Sequence, residues 1–175
     1  MSDEAPEKLR LVEDLCNSAT LLHGVDELAP LAQANEWLQR NGWPSLDSEQ
    51  HAVRLRQERE VIRGFLIDRS DPAARHALNA VFQQHWAAAH IDDAGRLAFS
   101  PTEYAVSPAG AAVEALMLHG LDMSGQRLKA CASEECRWVF YDSSRSRNRT
   151  WCDMNICGAR HKMRQYRARL DTPPV

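Results

Sequence analysis

Nowhere in these 175 residues is there an uninterrupted apolar run of about twenty, the length a helix needs to cross a bilayer. The first residues, Met1-Ser2-Asp3-Glu4-Ala5-Pro6-Glu7, are acidic and lack an apolar core, so no secretory leader is expected and a cytoplasmic protein is the default. Internal repeats and low-complexity tracts are missing as well. Missing too are a nucleophile elbow, a phosphate loop, a dinucleotide fingerprint and any His-x-x-x-His pair. Six of the seven histidines (His23, His51, His76, His85, His90, His119) lie scattered through the first two thirds, and a lone helical histidine is normally a surface or satisfied core residue. No enzyme is expected. A deep pocket gathering several of these histidines beside a carboxylate would reopen that question.

What is present is unevenly distributed. From Met1 to Gln126 there are 10 Lys/Arg against 19 Asp/Glu, a net −9, whereas from Arg127 to Leu170 there are 11 against 4, a net +7. Such asymmetry points to a polyanion as partner of the basic end, or to an Arg-rich surface that is merely solvated. Four of five cysteines fall within 27 residues: Cys131, Cys136, Cys152 and Cys157. Clustered cysteines in a chain without an export signal more often bind metal than form disulfides.

Helical patterning dominates the first two thirds. Leu9, Val12, Leu15, Ala19 and Leu22 predict a helix from Lys8 that stops near Gly24. A second is expected from about Pro30 to Gly42, burying Leu31, Ala34, Trp37 and Leu38. A third runs from Asp47 or Ser48 to about Asp68, a fourth opens at Asp71-Pro72, and a fifth starts at Ser107-Pro108 and ends between Gly120 and Gly125. Between the fourth and fifth, His90 to Phe99 contains Asp-Asp-Ala-Gly and predicts a small β-hairpin. Asn17 is a polar residue in apolar surroundings, suited to lining a pocket or bonding a helix end. Cys16 is read as a small buried apolar residue. The expected fold is mainly α: a helical domain over residues 1–126 with one hairpin, and a zinc module over residues 127–175 with a short hairpin and a helix.

The cysteines follow the pattern C-x(4)-C, fifteen residues, C-x(4)-C. Zinc takes four ligands tetrahedrally with sulfur at about 2.3 Å, and four thiolates leave no position for water or substrate, so the site is structural rather than catalytic. One Zn2+ is expected, in preference to an iron–sulfur centre. Some 45 residues with few large apolar side chains cannot build a core alone, so metal binding has to supply much of their folding energy. After Cys136, Trp138 and Phe140 alternate as in a short strand and are assigned to the mini-core, as is Trp151. The loop from Ser143 to Thr150 carries Arg145, Arg147 and Arg149 among small polar residues, suited to tracking a phosphate backbone. On the final helix Ala159, Met163, Tyr166 and Leu170 form an apolar stripe expected to dock on the zinc module. Arg160, Arg164 and Arg167 form a second stripe, and Lys162 and Arg169 lie on the other flank. These eight basic residues are the candidate nucleic-acid contacts. The competing reading is that they pair with the acidic first part of the chain, within one molecule or across a dimer.

The run Cys131…Cys136-Arg137-Trp138-Val139-Phe140-Tyr141-Asp142-Ser143-Ser144-Arg145, then Trp151-Cys152-Asp153-Met154…Cys157-Gly158-Ala159-Arg160-His161-Lys162, resembles the CGNR zinc-finger proteins of bacteria. The first part, with Leu15-Cys16-Asn17-Ser18 and the hairpin near Gly95, looks like the helical ABATE domain that accompanies this finger. The resemblance implies a stress-linked transcription regulator with a treble-clef-like module, Cys131, Cys136, Cys152 and Cys157 as ligands, and Arg160 as part of the signature. Ala159 stands where the family has Asn, so any contact made by that Asn is missing here. The expectation is therefore a zinc-dependent DNA-binding regulator, with no membrane partner, whose helical domain senses a small-molecule effector or forms a homodimer. The alternative is a protein-interaction module in which zinc only builds a scaffold.

Overall fold

A computed structural model describes residues 5–120 and 124–170. Five helices make the body: α1 (Glu7–Asn17), α2 (Leu31–Arg40), α3 (Glu49–Ile67), α4 (Pro72–His85) and α5 (Pro108–Gly120). Each expected cap is used. Ser48 Oγ accepts from His51 N–H, Asp71 accepts from Ala73 N–H with Pro72 in the first turn, and Ser107 Oγ accepts from Gly110 N–H. α1 packs on α5 and α3 on α4, and one apolar cluster runs through all five helices. No helix among the described residues is long and apolar enough to cross a membrane.

Three two-stranded antiparallel ladders decorate this body: β1 (Ala19–Thr20) with β2 (Val25–Asp26), β3 (Trp86–Ile91) with β4 (Leu97–Pro101), and β5 (Leu128–Ala130) with β6 (Val139–Tyr141). The hairpin expected between His90 and Phe99 is β3–β4; it begins earlier, at Trp86, which leaves the helix to pair with Pro101. Asp92 organises its turn by accepting from the N–H groups of Ala94 and Arg96.

The first helix is shorter than its apolar pattern predicts. It stops at Asn17, and Ala19 and Leu22 belong to a tight loop instead. Ser18 Oγ turns back onto the Leu15 carbonyl at 2.7 Å, and Ala19 pairs with Asp26. Arg59 from α3 fixes that loop with a bidentate bond to Asp26 at 2.6 and 2.7 Å. The inward face of α3 is also more polar than the pattern suggests, because Glu58, Arg59 and Arg63 are buried along with Leu55, Ile62 and Leu66.

The β5–β6 ladder is the junction between the helices and the cysteine-rich segment. Leu128 and Val139 sit in the same core cluster as the helices. The outer edge of β6 faces α1 and is paired by side chains. Asn17 Oδ1 accepts from Val139 N–H and Asn17 Nδ2 donates to Val139 C=O, both at 2.8 Å, while Glu13 Oε1 accepts from Tyr141 N–H at 2.8 Å. The match is metrical. Residues i and i+4 of a helix are about 6 Å apart along the axis, and residues i and i+2 of a strand about 6.8 Å, so one helix face stands in for a third strand. The hairpin is also held from α3 and the segment after it: Arg69 donates to the carbonyls of Gly125 (2.7 Å) and Leu128 (2.8 Å), the latter in β5, and buried Arg63 of α3 donates to the carbonyl of Arg137, in the turn before β6, at 3.1 Å.

Candidate metal centre and basic surface

Cys131 leaves β5 and Cys136 closes the turn that leads back to β6. That turn is narrow: Cys136 N–H and Arg137 N–H both donate to Ser133 C=O, at 2.9 and 3.0 Å, and Arg137 adopts a left-handed φ of 53°. Of the second pair, Cys152 precedes and Cys157 lies on a wide helical turn, Met154–Gly158, that opens into α6 (Ala159–Leu170). Asp153 caps it, its carboxylate accepting from Asn155 N–H (2.6 Å) and Ile156 N–H (3.1 Å). Gly158 makes a close approach: a Cβ there would displace the exposed Met154 side chain and stand 3.3 Å from the Trp151 ring.

Together these turns bring Cys131, Cys136, Cys152 and Cys157 to within 4.8 Å of one another, sulfur to sulfur. The Cys136–Cys152 and Cys152–Cys157 separations are 3.7 and 3.8 Å. A sulfur tetrahedron with metal bonds of about 2.3 Å has edges of about 3.8 Å, while a disulfide needs about 2.0 Å, so the geometry suits one ion and no bridge. The electrostatics agree. Burial and the neighbouring sulfurs push the Cys152 and Cys157 thiols up, the latter to about 11. For Cys131 burial is outweighed by backbone N–H donors from Cys152 and Ser133, which hold its thiol below the usual range. Thiolates this close together are stabilised by a shared cation. The residues present thus form a closed structural zinc site, and the apolar cluster around it is little more than the ligands and Trp151. Bound there, zinc cross-links the hairpin to the start of α6.

Next to this centre lies an ionic knot. Asp142 is fully buried and accepts from Lys129 Nζ (2.6 Å), Ser144 Oγ (2.5 Å), Ser144 N–H (3.1 Å) and Arg149 N–H (2.9 Å). Burial pushes its carboxyl up, but these donors outweigh it and hold it well below the usual carboxylate range. The knot pins the arginine loop to β5 and β6, and Lys129 also reaches the carbonyl of Arg147 at 2.6 Å.

All eight basic residues, Arg145, Arg147, Arg149, Arg160, Lys162, Arg164, Arg167 and Arg169, are exposed. They are not equivalent. Arg149 donates to the Cys152 carbonyl at 2.6 Å and lies over the Phe140 ring, 4.9 Å from its centroid. Arg164 makes an exposed ion pair with Glu135 at 3.2 Å. Arg164 apart, none of the eight makes an ion pair with the described residues.

The apolar stripe of α6 does not dock as expected. Met163, Tyr166 and Leu170 are 52%, 60% and 66% exposed, and no residue of α6 is buried. The helix is held near its start, by His161 stacking on Trp151 at 4.8 Å and by the exposed Arg164–Glu135 pair; beyond that it leaves a module too small to lie under it. Trp138 departs from expectation as well. It is 38% exposed and forms the wall of a groove of about 270 Å³, together with Leu22, His23 and Ile156, whereas Phe140 is buried as expected. Asn17, left open between pocket and helix end, is the residue that grips β6.

Residues 127–170 match the family model of the CGNR zinc finger, and residues 9–120 match that of ABATE, described as "Putative stress-induced transcription regulator". No curated protein matches the chain. With the larger part of its length under the ABATE model and its four sulfurs gathered in the finger that follows, the chain belongs to the ABATE family and ends in a CGNR zinc finger.

Proposed function

We propose that this protein is a zinc-dependent DNA-binding regulator in which the ion shapes the basic segment, and the helical domain senses a small molecule or forms a homodimer. The observation that carries the reading is the disposition of charge around the metal site. The arginine loop and α6 both leave the metal module with their basic side chains in solvent, and seven of the eight make no ion pair with the described residues. Phosphate oxygens are met best by such a row, since guanidinium and ammonium groups position a protein on the backbone without reading sequence. The family descriptions support the same direction.

The test is DNA binding by the zinc-loaded chain over a salt series, with and without chelator. Each phosphate contact contributes about 0.9 to the slope of log affinity against log salt. Replacing Arg160, Arg164 and Arg167 together by Ala should lower that slope by about 2 to 3, and chelation should abolish binding. An unchanged affinity and slope in the triple variant refutes the assignment. A second reading, a protein-interaction module with a purely structural ion, is favoured by the bare Met163–Tyr166–Leu170 stripe. Absence of DNA retention at low salt, with a partner that comigrates on gel filtration, would select it.

A further inference from the structure

The four ligand cysteines are not equally sheltered. Cys131, Cys157 and Cys136 are 1%, 2% and 8% exposed, whereas Cys152 is only half-buried. The groove of about 270 Å³ beside the metal centre opens onto three of them: Cys136, Cys152 and Cys157 line it, and Cys131 does not. Its walls are apolar, made by Leu22, Trp138, Phe140 and Ile156. Thr20, His23 and Asp153 complete the lining, and the Asp153 carboxylate is held in place by the N–H groups of Asn155 and Ile156. A closed structural site does not need an apolar path from solvent to its sulfurs, and this one has it.

With an ion bound, all four sulfurs are thiolates, the form that reacts with electrophiles, and susceptibility follows exposure. Cys152 is therefore the first to be met by a molecule in the groove. Two further sulfurs stand beside it, Cys136 at 3.7 Å and Cys157 at 3.8 Å, against about 2.0 Å in a disulfide. The fifth cysteine, Cys16, is fully buried and lines no part of the groove. The class of electrophile follows from the lining. Apolar walls favour an uncharged molecule with an apolar substituent, and the fixed carboxylate of Asp153 disfavours an anion.

We propose that Cys152 is an oxidation site for organic hydroperoxides, which the groove admits, and that its conversion to a disulfide with Cys136 or Cys157 opens the metal site. Cys152 Sγ attacks the hydroxyl oxygen of the hydroperoxide: an S–O bond forms, the O–O bond breaks, and the alkoxide leaves and takes a proton from water. The neighbouring thiolate then attacks the Cys152 sulfur; an S–S bond forms, the S–O bond breaks, and hydroxide leaves. Two electrons pass from sulfur to the peroxide, which ends as an alcohol and hydroxide. The two thiolates left over are too few to hold a four-coordinate ion, and α6 loses its anchor. The inference goes beyond the regulator proposed above and needs the metal centre alone, so its readouts involve no DNA.

Zinc-loaded full chain is treated with cumene hydroperoxide or with hydrogen peroxide; released zinc is followed with a colorimetric chelator, and the disulfide is located by peptide mass mapping. Cumene hydroperoxide should release zinc at least about tenfold faster at equal concentration, the effect of burying roughly two methylene groups in the groove. Each zinc released should be matched by a disulfide containing Cys152, and dithiothreitol with fresh zinc should restore the site. H23W, at an exposed position of the lining, should obstruct the groove and bring the cumene hydroperoxide rate down to that of hydrogen peroxide, with zinc uptake unchanged. W138A, which removes an apolar wall, should lose the preference as well. Equal rates for the two peroxides, a faster reaction with hydrogen peroxide, disulfides that omit Cys152, or a preference kept by either variant overturns the proposal. DNA binding without this oxidation sinks the site alone, and oxidation without DNA binding sinks the regulator alone.

Discussion

Replacing Asn17 by Ala tests the idea that α1 acts as the missing third strand of the zinc hairpin. Val139 is fully buried, and both its backbone groups are bonded to the Asn17 amide at 2.8 Å. The Ala variant removes both partners and leaves two backbone groups beneath the helix. An unpaired buried group costs roughly 1–3 kcal/mol. Asn17 is itself half-buried, so water reaches part of the gap and the lower half of that range applies to each, about 2–4 kcal/mol in total. In a chain of this size 1 kcal/mol shifts Tm by about 2–4 °C, which sets the expected fall at about 4–16 °C in zinc-loaded protein by calorimetry. N17D is the informative companion. It keeps the acceptor for Val139 N–H but turns an oxygen toward Val139 C=O, and it should be at least as damaging as N17A. Stability of N17A within about 0.5 kcal/mol of the parent refutes the clamp.

Removal of zinc by chelation should strip hydrogen-exchange protection from the amides of residues 152–170 while α1 to α5 and the β5–β6 hairpin keep theirs, because the cluster around the ion consists of the ligands and Trp151; retained protection there contradicts a metal-built module. D142N should cost about 3–5 kcal/mol by leaving Lys129 facing a neutral group in a buried knot, measured by denaturant unfolding at pH 7. The pH sign follows from the lowered carboxyl. Its stabilisation is fully present above the unfolded value near 4 and is lost as pH falls through the lower folded value, so the gap between parent and D142N should narrow below about pH 4. Burial pushes the Cys16 thiol up to about 12, so with zinc bound it should resist thiol reagents until the chain unfolds; rapid labelling of Cys16 in the native protein would show that it is not enclosed.

The four ligands were legible because chelation is local and specific to residue type: sulfur recurring at C-x(4)-C leaves few other uses, and the structure gathers all four. Helix starts at Ser48, Asp71-Pro72 and Ser107-Pro108 were legible for the same reason, since a cap acts within three residues. What stayed hidden depends on distant partners. The apolar period of α1 runs on to Leu22, and nothing nearby reveals that the Asn17 amide is claimed by a strand 122 residues away. Glu58, Arg59 and Arg63 look like a solvated face because their buried partners lie on other elements. His85 looks solitary for the same reason, its carboxylate neighbour being 27 positions earlier on another helix. The stripe on α6 marks two faces of a helix, and a pattern of that kind does not say whether anything covers the apolar one.

These hidden contacts change what the metal does. The hairpin β5–β6 is gripped from the helical side by Asn17, Glu13, Arg63 and Arg69, none of which depends on the cysteines. α6 has no such grip. It leans on the turn Met154–Gly158, on the His161–Trp151 stack and on one exposed ion pair, Arg164–Glu135, the kind worth roughly 0–1 kcal/mol. Zinc therefore joins two parts of unequal anchorage: a hairpin already built into the helical core, and a basic helix held chiefly through Cys152 and Cys157. Loss of the ion should free the second and spare the first. C157S should accordingly raise hydrogen exchange through Ala159–Leu170 while the Leu128 and Val139 amides stay protected. Equal loss in both would show that the hairpin, too, owes its place to the metal.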